Sequence, residues 1–128
     1  MTKRKMVKNE STGWHYADVS NDDDVRHGTN EYYLKYKDLG GGFIALFGRL
    51  QFGRWVGVNH LAQLPASVAP YETVFVPIWA TSDRRCNFGC LCIDPKGFIK
   101  IESCIDYCRE MIVNTTFFRG FPVDREND

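Results

Sequence analysis

Five cysteines, Cys86, Cys90, Cys92, Cys104 and Cys108, fall within 23 residues and form the densest chemistry-bearing group in the chain. Two thiolates share a zinc ion most readily at the C-x2-C spacing. Here the pattern is C-x3-C-x-C-x11-C-x3-C with no histidine nearby, so a structural zinc is disfavoured. In "CNFGCLCI" the even positions Cys86, Phe88, Cys90 and Cys92 lie on one side of a strand, where free cysteine acts as a small hydrophobe. Core packing is the expectation for that face. The thiols should be reduced, because no secretory signal points to an oxidising compartment.

The remaining polar groups offer binding rather than catalysis. His60, the one histidine inside the strand-rich region, sits beside "GVN" and reads as a loop residue rather than the base of a cysteine nucleophile. Asp83, Asp94, Glu102 and Asp106 fall mostly in turns or at strand edges, without the carboxylate pairing that glycoside hydrolysis requires. No catalytic residue, bound metal or cofactor is expected. In "DRR", Arg84 and Arg85 could hold an anionic sugar or phosphate bidentately, although a charged hairpin tip has the same composition. Trp55 and Tyr71 add ring faces that stack on sugars. Together, Trp55, Tyr71, Arg84 and Arg85 are the candidates for a surface saccharide site.

What must position these residues is a single domain. The chain has 128 residues, 44% of them hydrophobic and 14% aromatic, enough for a real core. Sixteen basic residues balance 16 acidic ones, so no overall field attracts nucleic acid or an anionic membrane. No apolar run approaches membrane-spanning length, and the N-terminal "MTKRKMVKNES" is basic without a following apolar stretch. Neither membrane insertion nor secretion is expected, and synthesis is cytosolic.

Composition shifts near residue 30. Residues 1–30 read as an arm or linker whose one apolar patch, Trp14 and Tyr16, could dock on the domain or on a partner; residues 31–128 read as the domain. There, "EYYLKYKD", "FIALFGRLQF", "ETVFVPIWAT", "CNFGCLCI", "FIKIES" and "EMIVNTTFF" are β-branched and aromatic runs of strand length. Gly40-Gly41-Gly42 joins the first pair, and "DPKG" joins "CLCI" to "FIKI" as a hairpin. "SCIDYCREM" suits a short helical turn or an irregular loop equally. The expected class is all-β: an antiparallel β-sandwich or jelly roll with an N-terminal arm.

Two strands are apolar on both faces, which a sandwich with one interior does not need. In the run from Glu72, Val74, Val76, Ile78 and Ala80 oppose Phe75, Pro77 and Trp79; in "FIALFGRLQF", Phe43, Ala45 and Phe47 oppose Ile44, Leu46 and Leu50. Contact between identical subunits would cover one such face, with Phe75, Trp79, Phe43 and Phe47 as interface candidates. Pro77 favours an edge position or a bulge.

The order "YYLKYKDLGGGFIALFGRLQ", "LAQLPASVAPYETVFVPIWAT", "CLCIDPKGFIKI" resembles the C-terminal receptor-binding head domains of bacteriophage tail-fibre and baseplate proteins. The matching residues are Gly42, Gly48, Leu50, Leu64, Pro65, Pro70, Gly89, Ile93, Gly97 and Ile99, over about residues 30–118. The resemblance implies a β-sandwich in the virion tail that assembles as a homotrimer, joins other phage tail proteins and binds a bacterial-surface saccharide without acting on it. The cysteine cluster, the fibre-free N-terminus and the tail "RGFPVDREND" depart from the pattern. They leave open a whole adhesin or a module of another tail protein. The alternative class is an intracellular cysteine-rich metal-binding or protein-interaction module.

Overall fold

The computed structural model describes residues 13–19, 25–26, 33–52, 60–82, 85–105 and 108–122, and all of its regular structure is β. The strands are β1 (His15–Tyr16), β2 (Asp18–Val19), β3 (Val25–Arg26), β4 (Tyr33–Gly40), β5 (Phe43–Phe52), β6 (Ala62–Gln63), β7 (Val74–Thr81), β8 (Cys86–Ile93), β9 (Phe98–Ser103) and β10 (Glu110–Phe118). No helix occurs among the described residues, and "SCIDYCREM" contributes only Ser103 at the end of β9 and Glu110 and Met111 at the start of β10; Asp106 and Tyr107 lie outside the description.

Nine strands form one antiparallel path, β1-β4-β5-β10-β7-β8-β9-β6-β2, with β3 added on β5. The two ends of this path, β1 and β2, are consecutive in the chain and separated only by Ala17. Residues 15–19 therefore run from the free edge of β4 to that of β6, and Ala17 N–H donates to the Leu34 carbonyl at 2.8 Å on the way. The sheet is a nearly closed, barrel-like wall, and Trp14 and Tyr16 pack against Phe47 and Tyr33 on its outer side.

Strand alternation decides what the wall encloses. Ile44, Leu46, Leu50 and Phe52 from β5, Val76, Ile78 and Ala80 from β7, and Met111, Val113 and Phe117 from β10 are buried in one core cluster. From β8 it is Leu91 and Ile93 that enter the core. This reverses the sequence expectation for that strand: Cys86 is exposed and Cys90 and Cys92 are half-buried on the outer face, whereas Cys108 is a core residue. Registration explains the reversal, because pairing of Cys92 with Lys100 and Leu91 with Ile101 carries the even positions of β8 outward.

Pro77 has an edge-like environment inside a central strand. It pairs with Cys90 on β8, but β7 meets β10 only at Trp79, Ala80 and Thr81, so the proline lies where the β10 side is open. This three-pair seam is the one place on the path where β7 touches β10.

The two sequence-marked turns are present. Gly40, Gly41 and Gly42 all take positive φ between β4 and β5, a run that only glycine makes without strain. At the β8–β9 hairpin the Asp94 carbonyl accepts from Gly97 N–H at 2.8 Å, and its carboxylate accepts from the backbone N–H groups of Lys96 and Phe98 at 3.0 Å each. Asp94→Ala removes both side-chain bonds. It should cost about 1–2 kcal/mol in urea unfolding, with Asp94→Asn restoring most of it because the amide oxygen can still accept; equal stability of Asp94→Ala and wild type would show the turn does not depend on this carboxylate.

Candidate functional site

The outer face of β4, β5 and β10 carries a hollow that the register makes unavoidable. Phe43 faces Phe118, Ala45 faces Thr116 and Phe47 faces Asn114 across β5 and β10. Ala45, small between two phenylalanines, leaves the floor low. Trp14, which immediately precedes β1, meets Phe47 edge-on at 6.5 Å and forms a wall. The space is about 460 Å³, lined by Trp14, Lys35, Ala45, Phe47, Asn114 and Thr116, with Leu46 and Thr115 below.

Lys35, opposite Phe47 on β4, supplies the charge. Its ammonium lies 5.1 Å from the centre of the Tyr16 ring and 4.9 Å from that of Tyr33, and those rings contact each other edge-to-face at 6.2 Å. Two aromatic faces thus fix the ammonium at the rim. An aromatic wall, an amide, a hydroxyl and an ammonium, with no carboxylate among the described residues of the lining, suit a ligand rich in hydroxyl groups. Rings take its apolar face and Asn114 both donates to and accepts from its hydroxyls.

On the other side of β1 and β2 the barrel seam opens into two grooves sharing Tyr36 and Pro65. One, of about 530 Å³, is lined by Tyr16, Asp18, Gln63 and Lys96; the other, of about 570 Å³, by His15, Asp38, Ser67 and Val68. His15 and Tyr36 stack at 5.4 Å, and burial pushes the Tyr36 phenol up, which keeps it a protonated hydrogen-bond donor. Asp38 and Gln63 are partly engaged, accepting from Gly40 N–H at 2.8 Å and donating to the Lys96 carbonyl at 3.2 Å.

The sequence candidates do not converge on one point. Tyr71 and Arg85 flank opposite ends of the eight-residue β7, so roughly 25 Å of strand separates them, too far for one sugar-sized site on a single chain. The Tyr71 ring is already covered by the Arg119 guanidinium at 4.5 Å, and Arg119 also donates to the carbonyls of Ala69 at 2.7 Å and Ala66 at 3.2 Å. Tyr71 therefore clamps the "LPASVAPY" loop. Trp55 and Arg84 lie outside the described residues. Phe43, Phe47, Phe75 and Trp79 all occupy the outer face and are exposed, by 48%, 41%, 60% and 36%. Trp79 pairs edge-to-face with Phe88 at 5.0 Å and Phe43 packs on Phe118 at 5.0 Å. His60 is an exposed loop residue against Phe98.

Sequence reasoning missed Lys35, Asn114 and Thr116. The signal was the alternation in "EMIVNTTFF", where Asn114 and Thr116 share a face with Ile112 and Phe118. Among the described residues, no three His, Cys, Asp or Glu side chains gather where they could hold a metal ion.

No family model matches the sequence, and no curated protein is similar to it. Two solved structures are similar. The receptor binding protein of Listeria phage PSA aligns with a TM-score of 0.59 and 13% identity over 91% of this chain and 71% of that one. The head domain of lactococcal phage bIL170 aligns with a TM-score of 0.54 and 11% identity over 82% of this chain and 96% of that one. At such identities the likeness is one of fold, and the chain is built on the architecture of these phage receptor-binding and head domains.

Proposed function

We propose that this chain is a non-enzymatic receptor-binding module of a phage tail, carried in the virion with other tail proteins, and that it holds a host-surface saccharide in the hollow between Trp14, Phe47 and Asn114. The carrying observation is that hollow: aromatic walls, the amide and hydroxyl of Asn114 and Thr116 and the Lys35 ammonium on an outer sheet face, within a fold shared with two phage receptor-binding and head domains. Among the described residues the lining holds no carboxylate, which favours retention of a sugar over its hydrolysis.

Binding to a glycan array and to a panel of bacterial cells tests the reading. Trp14→Ala and, separately, Asn114→Ala should each weaken binding about tenfold, the loss of roughly 1.4 kcal/mol of contact. Asn114 is exposed, so its variant leaves the core untouched. The pair Trp55→Ala with Arg84→Ala is the counter-test. Loss confined to that pair would move the site to Trp55 and Arg84, and a folded protein that binds no glycan and no cell would remove the receptor-binding reading.

A further inference from the structure

Residues 13–19 cross the barrel seam and give a wall to the hollow and to both grooves: Trp14 to the hollow, Tyr16 and Asp18 to one groove, Gly13 and His15 to the other. Little holds them in place. β1 and β2 have two residues each and end the strand path, so His15 and Tyr16 pair only with Tyr36 and Lys35, and Asp18 and Val19 only with Gln63 and Ala62. The 2.8 Å bond from Ala17 N–H to the Leu34 carbonyl is the tie between the two ladders. Ala17 alone of these residues is buried in the core and Val19 packs at its margin, whereas His15, Tyr16 and Asp18 are exposed. By contrast β4, β5 and β10 are eight, ten and nine residues long and stay in register with one another over most of that length. Short exposed ladders with few buried apolar groups belong to the least stable part of a fold.

We infer that residues 13–19 are a strap that opens as a unit while the rest of the barrel stays folded, and that its closure, centred on Ala17, positions the Trp14 wall of the hollow. The opening stands on ladder length and burial; its bearing on a ligand rests on the receptor-binding reading above. When the strap lifts, Trp14 leaves Phe47, and Tyr16 leaves Tyr33 and the Lys35 ammonium. The hollow then lacks a wall and one of the two rings that fix its charge. A ligand that needs Trp14 binds only the closed form, so its apparent affinity is the intrinsic affinity multiplied by the closed fraction, and the bound ligand raises that fraction in turn. Ala17 is therefore a positioning residue: it lines none of the three cavities, yet it fixes the chain between the residues that do.

Amide exchange of the full chain, followed by NMR, compares Ala17 N–H with Leu46 N–H, which lies mid-strand between Tyr36 of β4 and Thr115 of β10. Relative to unstructured-chain rates, Ala17 should be at least about a hundredfold less protected. Its exchange should respond little to urea below the unfolding transition, whereas that of Leu46 should accelerate, because only global opening exposes a large surface. Equal protection with an equal urea response overturns the strap. No ligand enters this measurement, so it is decided independently of the receptor-binding tests. Ala17→Pro deletes the tying N–H and should speed chymotrypsin cleavage after Trp14 or Tyr16 at least about tenfold while Leu46 keeps its protection. On the glycan array and cell panel the same variant should bind about tenfold more weakly than wild type, and Ala17→Gly, which keeps the N–H, should recover most of both changes. An Ala17→Pro chain that is cleaved rapidly yet binds as wild type does overturns the coupling of the strap to the hollow.

Discussion

Gly48→Ala is expected to lower stability by about 3 kcal/mol, at the upper end of what overpacking a core usually costs, and to drop the thermal midpoint by about 10 °C. Gly48 does not have positive φ, so the requirement is one of space rather than backbone conformation. It lies on the inner face of β5, in register with Leu34 on β4 and Val113 on β10. A Cβ there would stand 2.1 Å from the Tyr33 carbonyl oxygen, 2.8 Å from Leu34 Cα and 2.9 Å from the Tyr33 carbonyl carbon. All three are backbone atoms, and none can rotate away. Either β4 shifts outward, exposing the fully buried Leu34, or β5 retreats into the core. Since β4 also carries β1, the displacement reaches Trp14 and the hollow. Gly40→Ala is the control: its φ of 91° makes the change unfavourable, yet nothing lies within 4 Å of the added carbon, so the loss should be about 1 kcal/mol. Differential scanning calorimetry ranks the two, and a Gly48→Ala midpoint at or above that of Gly40→Ala would show that β4 does not approach β5 as described.

Gly48 was legible in the sequence only as a residue shared with a head-domain pattern; its reason is the approach of a strand that no local signal encodes. Local signals did well. "DPKG" and the glycine triplet each determine a turn through their own backbone preferences, and the strands they join appear where the sequence places them. Which face points inward was the harder question. In "ETVFVPIWAT" both faces are apolar, and in "CNFGCLCI" the cysteine face competes with Leu91 and Ile93, so hydrophobicity is nearly degenerate between the faces and the register of the neighbours decides. In β8 that decision sends Leu91 and Ile93 inward and the cysteines outward, against the reading from residue type. The site suffered similarly. Trp14 was visible as a docking patch, but the hollow exists because Ala45, Asn114 and Lys35, far apart in sequence, align across three strands. Tyr71 looked like a sugar platform until Arg119, 48 positions away in the chain, was found on its face.

The domain is expected to run in solution as a homotrimer, at three times the 14.7 kDa of one chain, with the outer strip of β7, β8 and β10 at its interface. The warrant is exposed apolar surface. Phe75, Phe88, Trp79 and Ile112 are 60%, 72%, 36% and 36% exposed, and register places Ile112 beside Trp79 and Trp79 beside Phe88. Pro77 continues the row and contributes no polar side chain. Fully covering a large apolar side chain is worth roughly 1.5–3 kcal/mol, so several per subunit outweigh a typical ordering cost at an interface. Phe43 and Phe47, the other two interface candidates, stand elsewhere: Phe43 pairs with Phe118 at the far end of β10 from Trp79, and Phe47 forms a wall of the hollow. The strip on β7 and β8 is therefore the better interface, and it leaves the hollow open to ligand. A cyclic assembly buries the same strip on every copy; threefold closure is taken from the resemblance to phage head domains rather than from the strip itself. Light scattering coupled to size exclusion reads the mass directly. Trp79→Asp, with its side chain on the outer face, should convert the trimer to monomer while circular dichroism remains that of a folded β protein. A wild-type monomer would remove the interface argument altogether. A dimer would retain the strip and remove the threefold closure, and a Trp79→Asp protein that remained trimeric would return the interface to Phe43 and Phe118.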